Sequence, residues 1–144
     1  MTATLKGIEN AGLIESIFGR WPSFHDAEIH DIVITRDCDS GAQMDIKVHH
    51  WELTSEVDTT GHYVLRHHTL STMRFIGISD LALIGFNHQN VLWDIEISEV
   101  AAPGSGFAVS LPSSFGCEAS FKCRQIRVLS ATPCKNLEAQ PCKS

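Results

Sequence analysis

The chain has no C-x-x-C pair, no apolar run approaching a membrane span and no cluster of Lys or Arg. Each absence removes a class of protein. Five cysteines (Cys38, Cys117, Cys123, Cys134 and Cys142) form an odd set, which fits free thiols better than a disulfide framework. Cys117 and Cys123 lie in a strand-like stretch and read as small core hydrophobes, whereas Cys134 and Cys142 fall in a polar tail. The longest apolar stretch, Leu81 to Phe86, is far short of the ~20 residues that span a bilayer. Met1 to Lys6 has no apolar signal region, and the first apolar cluster, Leu13 to Phe18, contains Glu15 and lacks a cleavage site. A cytoplasmic protein is the expectation. With a formal net charge of −6 and scattered cations, the chain lacks the basic surface that nucleic acid and anionic membranes demand.

Catalytic signatures are missing as well. There is no G-x-S-x-G elbow, no glycine-rich phosphate loop and no S-x-x-K. Cys117 has only Lys122 and Arg124, further along the chain, to lower its pKa. Nothing in the residues asks for catalysis or for a cofactor, so the expectation is a protein that is not an enzyme.

What is present is an ordinary globular composition, 43% hydrophobic and 19% charged over 144 residues, which suits one domain with a real core. One short helix is legible near the start. Asn10 is placed to cap it, Leu13, Ile14, Ile17 and Phe18 share a face, and Gly19 stands where a left-handed residue ends a helix. Beyond it the apolar period becomes two. Ala27–Thr35 reads as a strand closed by the turn cluster Asp37 to Gly41. Met44, Ile46 and Val48 then alternate with polar residues before Trp51 and Leu53 take the other side. A bulge near His49-His50 would account for that shift.

Tyr63–Phe75 reads as a long strand, and Val91, Trp93, Ile95 and Ile97 as the inward face of another. Asn87 to Asn90 reads as a turn, Phe107 to Leu111 as a strand, and Cys117–Leu129 as one bent strand or two. These elements predict an α+β, mainly β fold, with an antiparallel sheet of about six strands behind a single helix. The domain is expected over residues 1–131, with 132–144 as a loose tail.

The stretch Trp21-Pro22-Ser23-Phe24-His25-Asp26-Ala27-Glu28-Ile29-His30 concentrates titratable groups beside aromatics. His25, Asp26, Glu28 and His30 are residue types that zinc accepts, and Glu28 and His30 would project from one face of a strand. Their spacing matches no zinc pattern, and a His-Asp pair at a corner has a simpler task, which is to satisfy backbone groups left over by the turn. Trp21, Pro22, Phe24, His25, Asp26 and Glu28 are therefore read as a structural motif. His49-His50 and His67-His68 are adjacent pairs whose members point to opposite faces, so neither pair chelates as a unit. Only convergence across strands would give them a metal. Trp51 is either core or an aromatic anchor for a partner.

Phe18-Gly19, the string Trp21 to Glu28, Phe86-Asn87 with Gln89-Asn90, and Phe115-Gly116-Cys117-Glu118 with Phe121 and Cys123 resemble the immunity protein 50 family of bacterial polymorphic toxin loci. The likeness covers roughly Leu13 to Ala131. It implies a predominantly β fold and an antidote that binds a cognate toxin domain by occlusion, and it supplies no catalytic residue. Two readings stand beside it. One is a metal-binding protein or metal-dependent enzyme built on the histidines, and the other is a regulatory interaction domain with no toxin.

Overall fold

The computed structural model describes residues 7–39, 41–100 and 105–134. In chain order they form β1 (Ile8–Glu9), α1 (Gly12–Phe18), β2 (Glu28–Asp37), β3 (Gly41–Val57), β4 (Tyr63–Ile76) and β5 (Ser79–Ile84). There follow β6 (Val91–Leu92), β7 (Glu96–Glu99), β8 (Phe107–Leu111), β9 (Ser113–Phe115), β10 (Glu118–Cys123) and β11 (Gln125–Pro133). The mainly β class with one short helix is as expected. The single sheet of about six strands is not. The strands form two sheets, ordered β1-β11-β4-β3-β2-β6-β9 and β5-β10-β8-β7. All pairings are antiparallel except that of β1 with β11.

The extra strands arise because the chain changes sheets in mid-run. The pair β6/β9 belongs to the large sheet and β7/β8 to the small one, so Trp93 to Ile95 and Pro112 are the crossing points. The break inverts part of the expected alternation. Leu92 and Ile95 are buried, while Trp93 is exposed. Cys117–Leu129 likewise resolves into two strands, with Arg124 between β10 and β11.

Between the sheets lies the core. Met44, Ile46 and Val48 of β3 sit beside Met73 and Phe75 of β4, with Met44 opposite Phe75 and Ile46 opposite Met73. Phe107, Val109, Leu111, Ala119 and Phe121 close it from the small sheet, and the rings of Phe75 and Phe121 meet edge to face at 5.0 Å. Helix α1 covers one end with Ile14 and Phe18, an i, i+4 pair, while Leu13 is exposed. Gly19 ends the helix at φ 80°, and its N–H donates to the Glu15 carbonyl. The expected cap, Asn10, does not cap. Ala11 holds the N-cap position, and Asn10, at φ 60°, turns its side-chain amide toward the Val128 carbonyl. Asn tolerates that left-handed turn, but the turn aims its side chain away from the helix.

Around His49-His50 no residue slips within β3, where His49 follows the outward alternation of Asp45 and Lys47; its own extra residues come later, between Leu53↔Leu65 and Val57↔Tyr63. The irregularities expected near His49-His50 lie in its neighbours. Between Ile29↔Val48 and Asp31↔Lys47 the extra residue is His30 of β2. Between His50↔Thr69 and Glu52↔Arg66 it belongs to β4, where His67 adopts φ 57°. At the end of the chain, β11 continues to Pro133 and the Cys134 N–H donates to the His68 carbonyl. The first residues of the expected tail are therefore strand, and 135–144 lie outside the described residues.

Candidate cleft beside the corner after the helix

The corner after α1 is built by an apolar half and a polar half. Trp21, Pro22, Phe24 and Ala27 are buried, and the rings of Trp21 and Phe24 lie 5.7 Å apart. His25 and Asp26 face outward. His25 does satisfy a backbone group, since Nδ1 donates to the Trp93 carbonyl at 2.9 Å. Asp26 does not: among the described residues its carboxylate meets only His25 Nε2, at 3.6 Å. What Asp26 supplies is a backbone at φ 66°, which Asp adopts more readily than most residues. The carboxylate that pins the corner is Asp94, unmarked by any spacing rule. Its Oδ1 accepts the N–H groups of Phe24 at 3.0 Å and Ile95 at 2.7 Å. Asp94 thus ties the corner to the point where the chain changes sheets. Asp26 N–H to Leu92 O and Leu92 N–H to Ala27 O complete the seam.

Nearby, Asn90 is buried and uses both its side-chain oxygen and its nitrogen. Its Oδ1 accepts from the N–H groups of Asn87 and Cys117, and its Nδ2 donates to the Asn87 carbonyl. Gly116, at φ 84°, lies against this loop, where an added Cβ would come within 2.4 Å of the Gln89 carbonyl oxygen.

The histidines are divided by the faces of β3. On one face His49, His68 and Trp51 cluster, with ring centroids 4.9–5.8 Å apart and His49 Nε2 3.1 Å from His68 Nδ1. His30, displaced by its bulge, has its ring 6.1 Å from that of His49 and its Nε2 3.9 Å from Glu28 Oε1. On the other face His50 stacks on Phe18 and contacts Phe24, while its Nε2 meets Ser71 Oγ at 2.7 Å. Burial first, then the neighbouring His68 and His30, lowers the His49 pKa to about 4; burial, then His49, lowers that of His50 to about 3. Both are neutral packing groups at physiological pH. Among the described residues, no three His, Cys, Asp or Glu side chains are arranged to hold a metal ion. The four candidate ligands of the corner form two separate pairs, His25 with Asp26 and Glu28 with His30.

Between the corner and the β3–β4 hairpin opens a cleft of about 400 Å³. Pro22, His25 and Asp26 form one wall, and Trp51, Leu53 and Leu65 the other. Trp51 is half-buried, packed on His49 and His68 while still lining the cleft. Trp93 stands exposed beside His25, the two rings meeting edge to face at 4.7 Å. The sequence pattern had turned Trp93 inward, and the sheet crossing turns it out.

Neither the curated proteins nor the solved structures yield a significant match to the chain. A family model does, and it spans nearly every element just described, from Asn10 before the helix to Cys134 after β11. The match, over residues 10–134 of 144, is to the model described as Immunity protein 50, and the chain belongs to that family.

Proposed function

We propose that the protein is the antidote to a cognate toxin domain of a polymorphic toxin system, acting in the cytoplasm by binding the toxin and covering its working surface. The observation that carries this reading is the family match across residues 10–134. The surface beside the cleft supports it. Leu53, Val57 and Tyr63 are exposed large hydrophobics on the outer end of one hairpin, Trp51 lines the cleft at its base, and Asp26 and Glu52 rim it. An aromatic anchor in a concave site, apolar neighbours and a polar rim are the parts of a protein-binding surface. Occlusion needs an interface of roughly 1,200–2,000 Å², which a face of a domain this size supplies. The acidic balance of the chain, −6, favours a basic toxin face and an association rate that falls as salt rises.

Co-expression with a toxin domain from the same locus tests it. The expected result is rescued growth together with a stoichiometric complex in a pull-down with metal-stripped protein. Rescue with no complex would indicate an antidote that acts on the toxin's product, and occlusion would be abandoned.

A further inference from the structure

Among the described residues, nothing pairs with the outer edge of β2 over most of its length. Among the described residues, β6 meets β2 only at Glu28, opposite Val91, with one further hydrogen bond from the Ile29 N–H to the Asn90 carbonyl. Among the described residues, the strand from Asp31 to Arg36 is paired with β3 on one side alone. That edge is not blunted at its centre, where Val33 and Ile34 are 51% and 47% exposed. An exposed apolar edge with free backbone donors and acceptors is a template for another strand.

From this edge we infer that β2 pairs with β2 of a second copy of the chain, antiparallel across a two-fold axis. The argument is one of register. A two-fold normal to the sheet keeps the core face of one strand continuous with the core face of the other, so the pairing centres on a single residue. Centring on Ile34 would set Ile32 against Arg36 and Asp31 against Asp37, a like-charge clash. Centring on Ile32 would set His30 against Ile34 and Asp31 against Val33. Centring on Val33 places Ile32 against Ile34 twice on the core face, beyond Ile46 and Met44, and Asp31 against Thr35 twice on the outer face. Of the three, this register alone matches apolar to apolar and polar to polar from Asp31 to Thr35, with His30 against Arg36 at each end and the Ile29 N–H already taken by the Asn90 carbonyl. The seven-stranded sheet then continues through the axis into its copy. A pairing this short buries less than the roughly 1,200 Å² typical of stable complexes, so the dimer is weak and concentration-dependent.

Sedimentation of the full chain over a series from micromolar to millimolar concentration tests the pairing, with substitutions at exposed positions that leave the fold intact. A monomer–dimer equilibrium is expected. Thr35→Lys, brought against Asp31 of the second copy, strengthens it, and Thr35→Asp weakens it, each by roughly tenfold because the contact occurs twice. Val33→Lys, which sets two lysines face to face on the axis, abolishes it. A monomer at every concentration, or a dimer indifferent to the sign of the charge at Thr35, overturns the inference. So does a monomer whose Val33→Lys variant loses toxin rescue, because the edge then belongs to the toxin.

Discussion

The two ends of the β3–β4 hairpin are made of the same ladder and do opposite things. At the inner end Met44, Ile46, Met73 and Phe75 have no accessible surface. At the outer end Leu53, Val57 and Tyr63 are 63%, 59% and 60% exposed, although Leu53 still faces Leu65 and Val57 still faces Tyr63 across the strands. The inner end has a second sheet above it, and the outer end has run past that sheet. His49, His50 and Trp51 mark the boundary, where the odd positions of β3 exchange Asp45 and Lys47 for an imidazole and an indole. Apolar side chains carry the fold on one side of that boundary and stay exposed on the other.

If that division is right, substitutions at the inner end should cost most. Ile46→Ala removes methyl groups at a site enclosed by strands on both sides and by the small sheet above. Its cost should fall in the upper part of the about 2–5 kcal/mol range for such truncations, read from denaturant midpoints. A cost below about 1 kcal/mol would mean that the inner end is loosely packed and the contrast is one of position only.

The boundary should respond to acid. Unfolded, both imidazoles titrate near 6.5, whereas folding lowers His49 to about 4 and His50 to about 3. Below pH 6.5 the unfolded chain therefore binds more protons than the folded one. The stability is whole above that pH and is lost as pH falls toward the folded values. Each histidine should remove on the order of 2 kcal/mol between about pH 7 and pH 5, so urea midpoints should drop steeply. His50→Gln should flatten the slope by the share of one proton. Equal midpoints at the two pH values would show that the imidazoles are hydrated and that the boundary is not closed.

Much of this division could be read from residue order, and the part that could not has a physical cause. Period-two alternation located Met44, Ile46 and Val48 because each meets a neighbour on both sides, so face and burial coincide. Alternation failed at Trp93, since a strand that changes sheets reverses which face is inward, and no residue type announces the crossing. The corner shows the same limit. Trp21 and Phe24 are legible as apolar, and His25 bonds the Trp93 carbonyl. Adjacency pairs Asp26 with it in the sequence, but the carboxylate that accepts the Phe24 N–H is Asp94, 70 positions away. Contact at that separation is a property of topology. The β2 and β4 bulges were legible only as a disturbance near His49, because a one-residue insertion shows in the partner's register and not in the strand's own pattern.

The outer end should give the smallest change in stability and the clearest change in function. Leu53 lies on the cleft wall with most of its surface in water, so Leu53→Lys exchanges little buried area and should shift the folding free energy by no more than ~0.5 kcal/mol. In the proposed complex the same position is covered, and a lysine there would carry a charge into an apolar contact facing a basic toxin. Rescue should be lost or strongly reduced, and the complex should no longer survive a pull-down, while the melting curve stays that of the native chain. Tyr63→Ser, opposite Val57 on the far side of the hairpin tip, should behave alike if the whole outer end docks. If Leu53→Lys rescues fully and Tyr63→Ser does not, the tip binds and the cleft does not. If both rescue fully, the exposed end of the hairpin is not where the toxin sits, and the exposed aromatics Trp93, Phe86 and Phe115 become the surface to alter next.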